Sequence, residues 1–373
     1  MGSFIVSDPH TTGTTPPRRI RIAVILGDAA GVGPELIAKL ISNPMNTQRA
    51  DILLLADRSE LDSAIADAGG VHVPLAEAGK PAGPAAVQLL DDNSAAQFGP
   101  VARQVETMAA GSRCLYQLKR ALALVQAGDV DGIVFGPLNK SSLKLAGMTE
   151  EDELRWFAKQ LNFHGHTSEI NIAGPLWTGR VTSHIGLEEV AARITTQSTL
   201  EAIELLNRLR WESGIPSPRL GVCALNPHNG ENGSFGRQEI DHIRPAVALA
   251  QKKGIDVQGP FPCDTIFLKS KHFDGIVTMY HDQGQIAMKL LSFEGGVTVQ
   301  GGLPIPVATP AHGTAFDIVG KNLASITSTQ NAFDTVATMA ERRLLKAAGL
   351  VEDVRPKDYT VVKSTPVQVP SCC

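Results

Sequence analysis

The chain is poor in the features that tie a protein to a charged or greasy partner. Only 19% of its 373 residues are charged, the formal net charge is −4, and no block of like charge interrupts the sequence. A nucleic-acid-binding surface needs a concentrated basic footprint, so that class is excluded. No apolar run reaches the roughly 20 residues that a membrane-spanning helix needs. The start, Met1-Gly-Ser-Phe-Ile-Val-Ser, lacks a basic segment followed by a long apolar one, so no secretory signal is expected. Val6 stands where N-myristoylation needs Ser or Thr. The five cysteines, Cys114, Cys223, Cys263, Cys372 and Cys373, form neither a spaced metal-binding pair nor a disulfide framework. Such usage suits a reducing cytoplasm, and a cytoplasmic protein is expected.

What is present is apolar residue, 43% of the total, in a chain long enough for two lobes with separate cores. Residues 1–19, rich in Thr, Pro and Gly, read as a disordered leader. Arg19-Ile-Arg-Ile-Ala-Val-Ile-Leu reads as a buried strand running into Gly27-Asp-Ala-Ala-Gly-Val-Gly-Pro-Glu, with a helix starting near Pro34. Ile52-Leu-Leu-Leu-Ala and a helix from Ser59 repeat the rhythm, and residues 71–100 read as a variable loop. Helices are expected over about 103–127, 187–210 and 236–253, and strands at 132–135, 219–225 and 275–280. Asp131-Gly-Ile-Val-Phe and Asp274-Gly-Ile-Val-Thr echo each other, as equivalent strands of two related lobes would. Strands alternating with helices predict a two-lobed α/β/α architecture with mainly parallel sheets. The expected division is residues 20–150 plus 300–352 as lobe 1, 151–299 as lobe 2, and 353–373 as a frayed tail.

Three histidines share one context. His184, His228 and His281 each follow a short β-rich run, namely Arg180-Val-Thr-Ser, Leu220-Gly-Val-Cys-Ala-Leu-Asn-Pro and Gly275-Ile-Val-Thr-Met-Tyr. In open α/β sheets ligands bind at the carboxyl edge, and three neutral imidazoles meeting there would hold a divalent metal with positions left for substrate. Nitrogen ligands favour Zn²⁺, with Mg²⁺, Mn²⁺ or Co²⁺ as alternatives. Other segments admit two readings each. The Gly27–Glu35 turn is either a phosphate-approaching loop or a tight strand-to-helix turn, and its spacing is not the dinucleotide fingerprint. His166 and Thr167, in Phe163-His-Gly-His-Thr-Ser-Glu, either grip a polar substrate or lie on a surface loop. Lys289, eight residues after His281, either pairs with a substrate carboxylate or is a solvated lysine. The segment from Gly301 to Asn322 is either a nucleotide-binding loop, with Asp317 accepting from ribose hydroxyls, or a crossover between lobes.

Together the ordered motifs GDAAGVGPE (27–35), PLNK (137–140), GHTSE (165–169), VTSHIGL (181–187), LNPHNGENGSFG (225–236), DTIF (264–267), YHDQG (280–284) and HGTAFDIVGK (312–321) resemble one family. It is the 4-hydroxythreonine-4-phosphate dehydrogenase family of metal-dependent, NAD-linked decarboxylating dehydrogenases. The resemblance runs from about Ile20 to Asn331. It implies a fold similar to isocitrate and isopropylmalate dehydrogenases and a homodimer whose cleft is shared between subunits. It also implies metal ligands at His184, His228 and His281, a catalytic carboxylate at Asp264, and a Lys289 that binds substrate and takes part in catalysis. Substrate contacts fall on His166, Thr167 and Lys289. Gly313, Thr314, Asp317 and Asn322 fall on the loop that would bind NAD.

Two departures concern substrate. Val307 occupies the place of an arginine that in the resembled family helps to hold a phosphorylated substrate, with Ala311 at a neighbouring aspartate, and Thr298 replaces a substrate-contacting asparagine. No apolar side chain replaces a bidentate guanidinium. The expectation is therefore kept chemistry on a substrate without phosphate, as in the terephthalate cis-dihydrodiol dehydrogenase branch of aromatic catabolism. That branch oxidises and decarboxylates a ring diol dicarboxylate to 3,4-dihydroxybenzoate. The alternatives are 4-hydroxythreonine-4-phosphate dehydrogenase itself, a related acid-phosphate dehydrogenase, and a non-enzymatic metal-dependent small-molecule binder.

Overall fold

Strands buried on both faces read as unbroken apolar runs rather than alternating ones, and the first strand is of this type. β1 (Arg21–Ile25) pairs in parallel with β2 (Asp51–Ala56) on one side and β4 (Gly132–Phe135) on the other. The computed structural model describes residues 18–76, 85–291 and 294–351. Its strands form one sheet of eleven, completed by β3 (Val87–Asp91), β5 (Ser168–Ala173), β6 (Leu176–Arg180), β7 (Leu220–Cys223), β8 (Val257–Phe261), β9 (Gly275–Thr278), β10 (Val297–Gly301) and β11 (Val307–Pro310). The order is β3-β2-β1-β4-β11-β10-β5-β6-β9-β7-β8. Pairing is parallel except at the centre, where β11, β10, β5 and β6 run antiparallel to their successive neighbours. Helices flank the sheet, among them Met108–Ala127, Thr196–Glu212 and Thr327–Ala347, so the protein has the mixed, mainly parallel α/β fold expected.

The strands of 20–150 plus 300–352 fall on one side of the sheet and those of 151–299 on the other, with β10 at the seam; we propose this division for the two lobes. The echoed aspartates occupy matching places. Asp131 accepts from the Arg21 backbone N–H at 2.8 Å, and Asp274 accepts from that of Arg219, also at 2.8 Å. Each carboxylate thus ties the start of its own strand to the start of the neighbouring one.

Three expectations need correction. The loop read over 71–100 contains β3 and a short helix, Ser94–Phe98, because Val87-Gln-Leu-Leu adds to the β2 edge despite its Pro- and Gly-rich surroundings. The helix expected over 187–210 is two, Leu187–Arg193 and Thr196–Glu212, separated where Thr195 starts a new capping box with Ser198. The strand before His184 ends at Arg180 rather than continuing to Ser183. The expected leader up to residue 17 and the tail from 353 lie outside the described residues. Among the described residues, no helix is long and apolar enough to cross a membrane.

Candidate active site

β6 and β9 are parallel neighbours, with Arg180 opposite Thr278, so the segments leaving their carboxyl ends lie side by side. One carries His184 in a turn; the other opens directly into the helix His281–Leu291. The two imidazole centroids are 5.6 Å apart. His184 Nδ1 lies 3.2 Å from Glu151 Oε1 and 3.4 Å from Asp152 Oδ2. Asp152 is buried, and its other oxygen accepts from the Arg155 N–H at 2.7 Å, capping the helix Glu153–Gln160. His281 Nδ1 lies 2.7 Å from Asp282 Oδ1. A carboxylate at Nδ1 holds the ring proton there and leaves the Nε2 lone pair for a metal. This donor chemistry fits a divalent cation.

His228 stands apart. It begins a run of six residues with positive φ, His228 to Gly233 at 51°, 59°, 78°, 41°, 52° and 99°, four of them not glycine. Left-handed backbone costs roughly 1–2 kcal/mol per L-residue. The fully buried Glu239 supports the approach to this loop, its Oε1 accepting from the N–H groups of Leu225 at 2.9 Å and Asn226 at 2.8 Å. The His228 ring packs on Phe235 at 6.2 Å, not on the other two histidines. Among the described residues, no three histidines bring ligand atoms within 4.8 Å of one another, whereas Glu151, Asp152 and His184 do. Zinc–nitrogen bonds are about 2.0–2.1 Å, so a three-histidine site needs tighter convergence than one chain provides. A further acidic group, Asp57, Asp91 and Asp92, is taken up by backbone N–H groups, with Ser59 and Ala95 donating to Asp57 and Ser94 donating to Asp92.

His184 and His281 face a cleft of about 270 Å³ that also receives Lys140 from the loop after β4, Lys289, Thr298, and Ala311 with His312. Neither lysine is hydrogen-bonded or ion-paired among the described residues. Thr298 Oγ1 accepts from Asn171 Nδ2 at 3.2 Å. Several lining residues were not anticipated: Glu153, Glu169, Asn171, Arg180 and Gln285. For Glu169 and Asn171 the signal was alternation. β5 reads Ser-Glu-Ile-Asn-Ile-Ala, which puts Glu169 and Asn171 on one face of a strand with apolar residues on the other. Burial pushes the Glu153 carboxyl above the usual carboxylate range, with Lys140 opposing the shift. A carboxyl so placed can hold a proton at the cleft wall.

Other expected contacts lie elsewhere. His166 and Thr167 do not line the cleft; His166 Nδ1 is 3.4 Å from Glu201, and burial lowers its pKa. Asp264 is exposed at the first turn of the helix Cys263–Ile266, away from the cleft lining. Val307 is fully buried in β11, opposite Ile133, in an apolar cluster with Phe135 and Leu303. Its side chain forms core and not cleft wall, which corrects its expected place among the substrate contacts.

The segment after His312 docks on the first glycine-rich turn. The Val32 N–H donates to the Thr314 carbonyl at 3.0 Å, and Val32, Leu36, Val319 and Ala324 form a small apolar cluster. A Cβ on Gly31 would meet Thr314 Cβ at 2.7 Å, so only glycine allows this approach. Gly313, Asp317 and Asn322 remain exposed beside it. The first glycine-rich turn and the segment that follows His312 thus form one surface. Gly27 (φ +86°) and Gly136 bring the turns after β1 and β4 together in the same way, since a Cβ on Gly136 would lie 2.3 Å from the Leu26 carbonyl oxygen.

Comparison with known proteins finds relatives over most of the chain. The sequence profile described as pyridoxal phosphate biosynthetic protein PdxA matches residues 48–336. A Pseudomonas aeruginosa protein provisionally named 4-hydroxythreonine-4-phosphate dehydrogenase 2 is 47% identical over 88% of this chain and 99% of its own length. One from Bradyrhizobium diazoefficiens, provisionally named D-threonate 4-phosphate dehydrogenase, is 35% identical over 86% of this chain and 96% of its own. The crystal structure of 4-hydroxythreonine-4-phosphate dehydrogenase from Klebsiella pneumoniae superposes with a TM-score of 0.73 at 31% identity, covering 88% of this chain and 100% of that one. The terephthalate 1,2-cis-dihydrodiol dehydrogenase from Burkholderia xenovorans is more distant, at a TM-score of 0.61 and 26% identity over 83% of this chain and 98% of that one. These findings overturn the expectation of a terephthalate dihydrodiol substrate and a place in aromatic catabolism. That expectation leaned most on Val307, and a residue sealed in the core says nothing about what the cleft admits; the other two departures, Thr298 and Ala311, do line the cleft.

Proposed function

The chain belongs to the family of the pyridoxal phosphate biosynthetic protein PdxA, and we propose that it is a metal-dependent, NAD-linked decarboxylating dehydrogenase of a phosphorylated four-carbon hydroxy acid, with 4-hydroxythreonine 4-phosphate as substrate. The observation that carries this reading is that His184 and His281, each with a carboxylate at Nδ1, open on the same cleft as the unpaired Lys140 and Lys289. When bound, a divalent metal supplies polarisation of the substrate hydroxyl, and NAD accepts the hydride.

The chain's own residues do the placing. Lys289 and Lys140 hold the anionic ends of the substrate, and Thr298 offers a hydroxyl beside them. Loss of hydride from C3 and of the hydroxyl proton gives a ketone β to the carboxylate. The C1–C2 bond then breaks, CO₂ leaves, and its electron pair passes toward the new carbonyl until C2 takes up a proton. Glu153, held neutral to higher pH by burial, stands at the cleft wall to exchange a proton. Gly313, Thr314, Asp317 and Asn322 form the NAD surface in this reading.

His228 and Asp264 lie outside the cleft of one chain, and we assign both to a homodimer in which a second copy completes the metal and catalytic groups. Each histidine motif carries or adjoins an exposed apolar side chain, Leu187, Phe235 and Ile286 at 70%, 53% and 59% exposure, as a covered face would. His166 and Thr167 belong to the substrate surface of that assembly, and a cytoplasmic location is part of the proposal.

The test is NADH and CO₂ formation from 4-hydroxythreonine 4-phosphate and from D-threonate 4-phosphate, with Zn²⁺, Mg²⁺, Mn²⁺ or Co²⁺ added to metal-stripped protein. No NADH from either substrate with any metal would overturn the reading and leave a binding protein. Sedimentation showing a fully active monomer would overturn the dimer.

A further inference from the structure

A third cation lines the cleft beside the two lysines. Arg180, the last residue of β6, is 5% exposed, yet its side chain forms part of the cleft wall. Its guanidinium is held on three sides. Nε donates to Ser183 Oγ at 3.0 Å, one terminal nitrogen donates to Asn171 Oδ1 at 2.8 Å, and the other forms an ion pair with Glu169. Asn171 is fixed in turn, accepting from Gln285 Nε2 at 2.6 Å. Gln285 and Lys289 are one helical turn apart, and both face the cleft.

A guanidinium carries five N–H donors, of which this network uses three. The two left over are one on each terminal nitrogen, free to donate to the oxygens of an anion. We propose that Arg180 is a specificity-determining residue that receives the phosphate of the substrate, with Lys289 supplying the adjacent point charge. This deepens the function proposed above and rests on it. Glu169 and Asn171 set the plane of the guanidinium before substrate arrives, so little side-chain freedom is lost on binding. The rival role is structural, in which Arg180 only neutralises Glu169.

The rivals separate in three variants. Arg180→Lys keeps a charge opposite Glu169 but loses the guanidinium. Arg180→Met with Glu169→Gln removes both charges, so neither is left buried alone. Arg180→Met alone is compared where it folds. Initial rates with 4-hydroxythreonine 4-phosphate give KM and kcat, and calorimetry with inorganic phosphate reads anion binding on the metal- and NAD-loaded protein. The expected result is a KM for the phosphorylated substrate raised about tenfold to a hundredfold in Arg180→Lys and in the double variant. Phosphate affinity should fall in parallel, with kcat and the KM for NAD little changed. If the double variant folds and binds phosphate like the wild type, Arg180 is only the neutraliser of Glu169 and the proposal falls. If the wild type oxidises no phosphorylated acid, the function reading fails on its own, and the calorimetric comparison still decides whether Arg180 binds phosphate.

Discussion

Asp152 does two jobs with two oxygens, and substitution can separate them. Oδ1 caps the helix Glu153–Gln160 through the Arg155 N–H, and Oδ2 faces His184 Nδ1 at 3.4 Å. Asp152→Asn keeps a capping oxygen, because asparagine caps about as well as aspartate. It also turns an N–H donor toward Nδ1, which must then accept, so the ring proton moves to Nε2, where a metal would bind. Loss of such a supporting partner typically costs about tenfold to a hundredfold in metal affinity, or about 1.4–2.8 kcal/mol. Asp152→Ala loses the cap as well, at about 0.5–2 kcal/mol of folding stability. Because Glu151 Oε1 is 3.2 Å from the same nitrogen and can substitute in part, the decisive variant is Glu151→Gln with Asp152→Asn. The assay is cobalt(II) titration of metal-stripped protein, paired with denaturant unfolding in the absence of metal. The expected pattern is weakened cobalt binding at unchanged stability in the double variant, and both losses in Asp152→Ala. Wild-type cobalt affinity in the double variant would refute the account of His184.

Asp28 is fully buried with one oxygen unpaired, and burial raises its pKa. A carboxyl whose folded pKa lies above its unfolded one stabilises most at low pH and loses that contribution as pH rises through the folded value. Asp28→Asn should therefore gain on the wild type as pH goes from acid to neutral, and parallel unfolding curves across that range would contradict this. Gly136→Ala should cost about 1–3 kcal/mol, because a Cβ 2.3 Å from the Leu26 carbonyl oxygen forces one of two strand-end turns to move; an unchanged unfolding midpoint would show that the turns do not pack as described. Asp317→Ala should raise the KM for NAD more than that for the acid, and an unchanged cofactor KM would move the nucleotide off the loop after His312. His184→Ala and His281→Ala should each strip the metal, and full occupancy in either by elemental analysis would exclude that histidine as a ligand.

The strands that carry chemistry were legible where their apolar runs were continuous. β1, β4, β7 and β9 are buried on both faces, so their ends, and the loops with Lys140 and His281, could be placed from composition alone. β5, β10 and β11 are not legible in the sequence, and β6 only as the run beginning at Arg180, because they mix polar and apolar residues in short runs where the sheet turns antiparallel. That seam also supplies part of the cleft wall. The cost of missing it shows in the handling of charge. A guanidinium was sought at Val307, because linear position was the only guide, and its absence was taken as loss of phosphate binding. The fold points Val307 into the core and brings Arg180, 127 residues earlier, to the cleft wall from a different strand. A charge needed at a site is a constraint on space and not on sequence. Any strand that ends at that wall can meet it, and β6, through its pairing with β5 and β9, ends there. The same reasoning explains His228. Its strand, β7, is a neighbour of β9 and was read as delivering a third ligand, but the left-handed run after Pro227 turns the ring onto Phe235. Strand order locates a loop's origin; only the backbone dihedrals beyond the strand decide where its side chains point. His184 and His281 converge in the cleft with three cations, while His228 stands exposed beside an exposed phenyl ring; in the homodimer proposed above, a second copy of the same surface would bring that imidazole to the site.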